Sequence, residues 1–223
     1  MEKNTVFKSF AVIGLGRFGT KLALQLYDAG KDVLAMDAAE ASVNAVSDHV
    51  TRAVTADAKN KKVLESLGVK DCDCAVVAIG EDIASSVMIA MNLKALGVGY
   101  IVCKASSETH SEVLKALGVD QVIIPEHEVA ERLAKNLASR NILEYIELSD
   151  EYAIVERPLP HAWHDKTILE LNVRAAYGVN IIGIKRGEKI LVSPAASLLL
   201  KEGDTLMVLG NTESLTKIDR LKA

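Results

Sequence analysis

A glycine-rich hexapeptide, Gly14-Leu15-Gly16-Arg17-Phe18-Gly19, follows an apolar run at residues 10–13 and precedes a stretch with helical spacing at 21–29. Gly-x-Gly-x-x-Gly is a weak signal in isolation, but between a strand and a helix it specifies a strand–turn–helix unit. Gly14 permits the tight turn, Gly16 lets another group approach the backbone, and Gly19 allows the helix to lie close against the strand. Such a unit is normally the first repeat of a parallel sheet covered by helices on both faces.

The chain up to residue 140 continues that alternation. Apolar runs at 10–13, 33–36, 53–55, 74–79, 101–103 and 121–124 alternate with helical patterns at 21–29, 41–48, 61–67, 83–96, 112–117 and 129–138. Runs that are apolar at successive positions are what strands buried on both faces require. Six of them alternating with helices predict an α/β, Rossmann-like, doubly wound parallel sheet. Aromatic residues make up only 4% of the chain, so the core must be aliphatic. Val63-Leu64-Glu65-Ser66-Leu67-Gly68-Val69-Lys70-Asp71 is echoed by Val113-Leu114-Lys115-Ala116-Leu117-Gly118-Val119-Asp120. Both read as a helix end, a glycine stop and the approach to the next strand.

Beyond residue 140 the pattern changes. Strands are expected at 143–148 and 152–157 around Ser149-Asp150-Glu151, before the break at Pro158-Leu159-Pro160. A short helix at 168–171, strands at 180–185, 190–193 and 205–209, and a closing helix at 214–221 complete a second, smaller α+β domain. The expected domains are therefore 1–140 and 141–223. A core this small is marginal alone, so pairing with a second copy is expected.

A helix that opens at a glycine turn presents free N–H groups and a partial positive charge, which suits a pyrophosphate. Asp37 ends the second strand at the spacing expected of a carboxylate that grips ribose hydroxyls, and its charge disfavours a 2′-phosphate. Nucleotide binding is thus the primary expectation, with Arg17 able to sense a terminal phosphate. A dehydrogenase would also need an acid or base near its nicotinamide. Tyr100 and Lys104 have the spacing of a helical Tyr/Lys pair, but on a strand they lie about 13 Å apart. His110 is a candidate base or phosphate contact. No nucleophile, triad or carboxylate pair stands out, so a regulator is favoured over an enzyme, with an NAD-dependent oxidoreductase or NADH redox sensor as the alternative.

Other functions lack their residues. Net charge is −4, with 16 basic and 18 acidic residues up to Arg140 and 10 and 12 beyond it, so neither half has the basic footprint of nucleic-acid binding. Cys72, Cys74 and Cys103 fit small core residues in a reducing cytosol better than a disulfide framework or metal site. His161 and His164 flank Trp163 after Pro160 and read as loop residues, with Asp165 the only adjacent carboxylate. No apolar run approaches a membrane span, and the amino terminus has no apolar signal core, so a cytoplasmic protein is expected.

The segment from Phe10 through Gly19 resembles the opening of the RCK (KTN) domains that regulate potassium transport. The likeness continues through Val33-Leu34-Ala35-Met36-Asp37, Ala56-Asp57-Ala58, Ala78-Ile79-Gly80 and Ile124-Pro125-Glu126. The stretch from Leu171 to Gly178, with Ile181 onward and Ser193-Pro194, is similar to the RCK-C (TrkA-C) domain. The resemblance covers nearly the whole chain and implies the regulatory subunit of a Ktr-type potassium uptake system. Such subunits are homodimers assembling to an octameric ring beneath a membrane potassium-translocating subunit (KtrB- or KtrD-like). It implies binding of ATP or ADP, and of NAD or NADH, by Gly14, Gly16, Arg17, Phe18, Gly19, Asp37, Ala38, Asp57, Ala58, Ile79, Gly80, Glu81, Lys104, Ala105, Ser106 and His110. Glu126 would lie near the terminal phosphate and hold a divalent cation. In the second domain the resemblance implies a cyclic di-AMP site at Ile168, Leu169, Asn172, Arg174, Ala175, Ile181, Ile182 and Pro194. Lys59-Asn60-Lys61-Lys62 departs from the acidic stretch common in the family.

Overall fold

The computed structural model of the chain describes residues 6–138, 144–149 and 151–221. The chain divides into two compact units, 1–125 and 126–223. The division falls after the first residue of the helix at Pro125–Ala138, while the junction expected at residue 140, like Asp150 and the start of the strand expected at 143, lies outside the described residues.

The first unit contains strands β1 (Ser9–Ile13), β2 (Asp32–Asp37), β3 (Arg52–Thr55), β4 (Cys74–Val77), β5 (Ile101–Lys104) and β6 (Gln121–Ile123). Between them run helices α1 (Arg17–Asp28), α2 (Glu40–Asn44), α3 (Lys61–Ser66), α4 (Ile83–Leu96) and α5 (Glu108–Ala116). The strands are all parallel in the order β3-β2-β1-β4-β5-β6, the doubly wound arrangement expected. The order reverses between β1 and β4, where such sheets open a crevice at their carboxyl edge.

Strand alternation sends successive residues to opposite faces. Ala11, Ile13, Leu34, Met36, Ala75 and Val77 pack with Leu64, Ile89, Leu93 and Leu114 of α3, α4 and α5. Val12, Val33 and Ala35 pack with Leu15, Ala23, Val43 and Val46 on the other face. The two echoed segments behave alike: Gly68 at φ +76° and Gly118 at φ +74° follow α3 and α5 and turn the chain toward β4 and β6. The apolar run at 74–79 leaves the strand after Val77. Ala78 N–H still reaches the Ile13 carbonyl at 2.7 Å, and the chain then turns over the glycine loop.

The second unit contains α6 (Pro125–Ala138), β7 (Glu144–Glu147), β8 (Tyr152–Pro158), α7 (Ile168–Leu171), α8 (Val173–Tyr177), β9 (Asn180–Arg186), β10 (Lys189–Val192), β11 (Asp204–Asn211) and α9 (Thr212–Asp219). Its five strands are antiparallel in the order β10-β9-β11-β8-β7. Ala153, Val155, Leu206 and Val208 alternate inward and meet Trp163, Val173, Leu215 and Ile218. Arg157, 1% exposed, points into this core and donates to the carbonyls of Ile218 and, at 3.1 Å, Leu221, at the end of α9. A cation at a helix carboxyl end is electrostatically favoured there. α8 is an element that apolar periodicity did not predict; Asn172 at φ +42° separates its single turn from α7.

Candidate functional site

The three loop glycines differ in what surrounds them. Gly14 has φ +94°, and a Cβ there would lie 2.7 Å from Ile79 Cγ1. A Cβ at Gly19 would lie 1.9 Å from the Gly14 carbonyl oxygen and 3.0 Å from Ala78 Cβ, so α1 rests directly on the loop. At Gly16 nothing lies within 4 Å. The exposed backbone at Gly16 and the first turn of α1, with no capping side chain and no acidic residue, thus face open space.

Asp37 locks this loop to the sheet. Its Oδ2 accepts the Leu15 N–H at 2.6 Å and its Oδ1 accepts the Ala39 N–H at 2.8 Å. Charge-assisted bonds of this length hold the turn in place. A cavity of about 370 Å³ opens beside it at the carboxyl ends of the first four strands. Of the sequence-predicted residues, Gly14, Asp37, Ala38, Asp57, Ala58 and Ile79 line it. Asp57 ends no strand but forms a turn in which its Oδ1 accepts the Lys59 N–H at 3.0 Å, with Lys59 Nζ 3.9 Å from Oδ2. The departure at Lys59 therefore puts an ammonium against an expected ligand carboxylate, in a solvent-exposed pair.

The other predicted residues of the first unit do not line the cavity. Arg17 is exposed and Phe18 half-buried in the first turn of α1. Glu81 is exposed after β4. Lys104, at the end of β5, lies across Gly80, where a Cβ would come within 3.3 Å of its Nζ. Ala105 is buried, and the Ser106 N–H donates to His110 Nδ1 at 3.3 Å. That bond places the imidazole proton on Nε2, which is buried with no partner among the described residues. Burial holds the His110 pKa below its ordinary value. Glu126 is exposed in the first turn of α6, directly after Pro125, where the helix dipole favours an acid.

Sequence reasoning missed Ile13, Met36, Ala56, Lys59, Asp82, Ser85 and Ile89 in the cavity wall. Asp82 caps α4, accepting the Ser85 N–H at 3.0 Å and the Ser85 hydroxyl at 2.5 Å. The Ser85 bonds, the hydroxyl's foremost, hold its carboxyl below the usual range, so it is a poor proton acceptor. The Asp-x-x-Ser spacing before an apolar helix was the readable signal. Cys74 and Cys103 are buried, and burial pushes their thiols up to about 12, which makes them inert core residues.

The candidate residues of the second unit cluster on α7, α8 and β9. Arg174 Nε donates to Asn180 Oδ1 at 2.8 Å, tying α8 to the start of β9. The loop carrying Pro194 is stitched to both sides: Ser193 N–H reaches the Ile182 carbonyl at 3.0 Å, and Leu169 N–H the Ala196 carbonyl at 2.8 Å. Leu169 is 70% exposed, Ala175 exposed, and Ile168, Ile181 and Ile182 half-buried.

A glycine-turn Rossmann domain with a cavity lined by Asp37 and Asp57, followed by a small antiparallel domain, defines a two-domain class of protein. Family models agree: the TrkA-N domain matches residues 10–125 and the TrkA-C domain residues 152–223. The chain belongs to the TrkA (RCK) family and is a homologue of the Ktr potassium uptake regulatory proteins. It is 40% identical over 213 residues to Ktr system potassium uptake protein C of Bacillus subtilis (strain 168), covering 96% of each chain. Ktr system potassium uptake protein A of the same organism is 40% identical over 212 residues, 95% of this chain and 96% of that one. The fold matches the GsuK channel bound to NAD with a TM-score of 0.67 at 17% identity, over 98% of this chain and 40% of that one. This kinship agrees with the expectation of a regulator rather than an enzyme. No helix among the described residues is long and apolar enough to cross a membrane.

Proposed function

We propose that this chain is the nucleotide-controlled regulatory subunit of a Ktr-type potassium uptake system, acting at the cytoplasmic face of a membrane potassium-translocating subunit. One observation carries the reading: a cavity lined by Asp37 and Asp57 beside an open glycine loop, in a chain 40% identical to Ktr system proteins. Binding without chemistry is what a gating subunit needs, because a ligand controls a partner through its differential affinity for two conformations. Asp37 and Asp57 are suited to the hydroxyls and amino group of an adenosine, and Gly16 with the start of α1 to its phosphates. ATP and ADP are the proposed ligands, with homodimers assembling into a ring, Glu126 a cation ligand, and cyclic di-AMP bound by the α7–α8–β9 surface. NAD or NADH is the second reading, since an open pyrophosphate loop and a ribose-gripping Asp37 serve it equally.

Calorimetric titration of nucleotide-stripped protein with ATP, ADP and NADH tests this. ATP and ADP should bind without hydrolysis, and Asp37→Ala should abolish both. Binding of NADH alone would instead support a redox sensor.

A further inference from the structure

The geometry points to a site of a different kind on the second unit: His161 and His164 form a two-imidazole chelate for a divalent transition-metal ion. Read from sequence, the pair is a loop coincidence; its conformation says otherwise. Residues 161–163 make one 3₁₀ turn, closed by Trp163 N–H to the Pro160 carbonyl at 2.9 Å and His164 N–H to the His161 carbonyl at 3.2 Å. Side chains three apart on such a turn lie over one another. The two ring centroids are 5.0 Å apart, with 60° between the planes.

That separation can be compared with what a metal requires. With a metal–nitrogen bond of about 2.1 Å, the ion lies about 3.2 Å from each ring centroid, and a tetrahedral angle of about 109° then puts the centroids about 5.2 Å apart. The observed spacing therefore already suits two rings sharing one ion. The turn is also fixed. Trp163 is 2% exposed and packs against Tyr177, ring centroids 5.4 Å apart and planes tilted by 51°, while Asp165 N–H donates to the Leu200 carbonyl at 3.0 Å. Ligands on a rigid turn lose little freedom on binding.

Paired imidazoles select Cu²⁺, Ni²⁺ or Zn²⁺ over Mg²⁺ and Ca²⁺. Among the described residues no third His, Cys, Asp or Glu joins the pair, so water completes the coordination sphere. The chain's other histidines, His49, His110 and His127, stand on other elements.

The only tryptophan of the chain, Trp163, lies between the two ligands, so its emission reports on the site. Full-length, untagged, nucleotide-free protein titrated with Cu²⁺ and Ni²⁺ should show quenching that saturates at one ion per chain. The signal should be reversed by a chelator and left unchanged by excess Mg²⁺. His161→Ala and His164→Ala should each weaken binding at least about tenfold, whereas His49→Ala and Asp165→Asn should not. Because His164 is half-buried, His164→Gln serves as a second variant, with circular dichroism checking the fold of each. Unchanged affinity in the His161 and His164 variants, or quenching without one-to-one saturation, would overturn the assignment. An equal loss in Asp165→Asn would overturn its two-ligand form.

Discussion

Alanine at Gly19 and at Gly16 should have opposite consequences, although the two positions are three residues apart, one in the first turn of α1 and the other at its cap. At Gly19 the new Cβ would stand 1.9 Å from the Gly14 carbonyl oxygen, where an ordinary contact is about 3.5 Å. The obstruction is backbone, so no rotamer relieves it. Either α1 lifts from the sheet by about 1.5 Å, or the turn that Asp37 holds through Leu15 must open. Overpacking typically costs 1–3 kcal/mol, and a rigid partner puts this substitution near about 3. At about 2–4 °C per kcal/mol for a chain of this size, the melting temperature should fall by about 6–12 °C.

Gly16 has φ −71° and nothing within 4 Å of a Cβ, so alanine should change stability by no more than about 0.5 kcal/mol. Under the proposed reading, the methyl would instead occupy the open space through which a phosphate would approach the backbone. A loss of about 1.4 kcal/mol in binding, tenfold in Kd, is the expected minimum. Scanning calorimetry gives the first quantity and ATP titration the second. The reasoning fails if Gly19→Ala melts with the parent, or if Gly16→Ala binds ATP as the parent does.

Two pH-dependent outcomes follow from buried groups. Asp204, 2% exposed, is desolvated, which alone would raise its pKa, but bonds from Arg186 at 2.7 Å and from the Lys201 N–H at 2.8 Å outweigh this and lower it. Its contribution to stability is therefore full above the ordinary carboxylate value of about 4 and is lost as pH falls through the lower folded value. Acid unfolding followed by circular dichroism should show a shallower acid limb in Asp204→Asn, and an unchanged limb would refute this. His110 also has a lowered folded pKa, so between that value and about 6.5 the unfolded chain binds the extra proton. Stability should thus rise with pH across that window and plateau above it. His110→Gln should remove this component of the slope in melting temperature against pH, and a slope equal to the parent's would show that His110 is not its source.

The fold was legible where periodicity and glycine chemistry agree. The six apolar runs, the Gly14–Gly19 turn and the Gly68 and Gly118 stops all act locally, so neighbouring residues carry the signal. Asp37 was readable for the same reason, as a carboxylate at a fixed distance from a glycine turn. Its bond to the Leu15 N–H was not, because that contact joins the end of β2 to the glycine loop after β1, 22 residues away. Asp82 and Ser85 line the cavity together with residues from the ends of β1 and β2, far away in sequence, which local pattern does not carry. Arg157 looked like an ordinary strand cation. Its burial depends on the end of α9, more than sixty residues away, which leaves no trace in local pattern. The imidazole pair was visible as spacing but not as geometry, since a loop and a 3₁₀ turn share the same four residues.

Discrimination between nucleotides must come from a small part of the site. Under the proposed reading, Asp37, Asp57 and Ala58, which line the cavity, would meet the adenosine that ATP, ADP and NAD share, and so would confer affinity without distinguishing the three. A ligand with equal affinity for two conformations shifts nothing, however tightly it binds. Under the proposed reading, the signal then has to arise where ATP and ADP differ, at the terminal phosphate. Within the first unit, Arg17 is an exposed cation on the open first turn of α1, beside Gly16. A guanidinium–phosphate contact at an exposed position contributes about 1 kcal/mol, since solvent screens most of its larger intrinsic value. Arg17→Gln should accordingly reduce the ratio of ATP to ADP affinity about fivefold while changing ADP affinity little. Paired calorimetric titrations measure both. If the ratio stays at the parent's value, the terminal phosphate is read elsewhere and Arg17 is only a solvated first-turn residue.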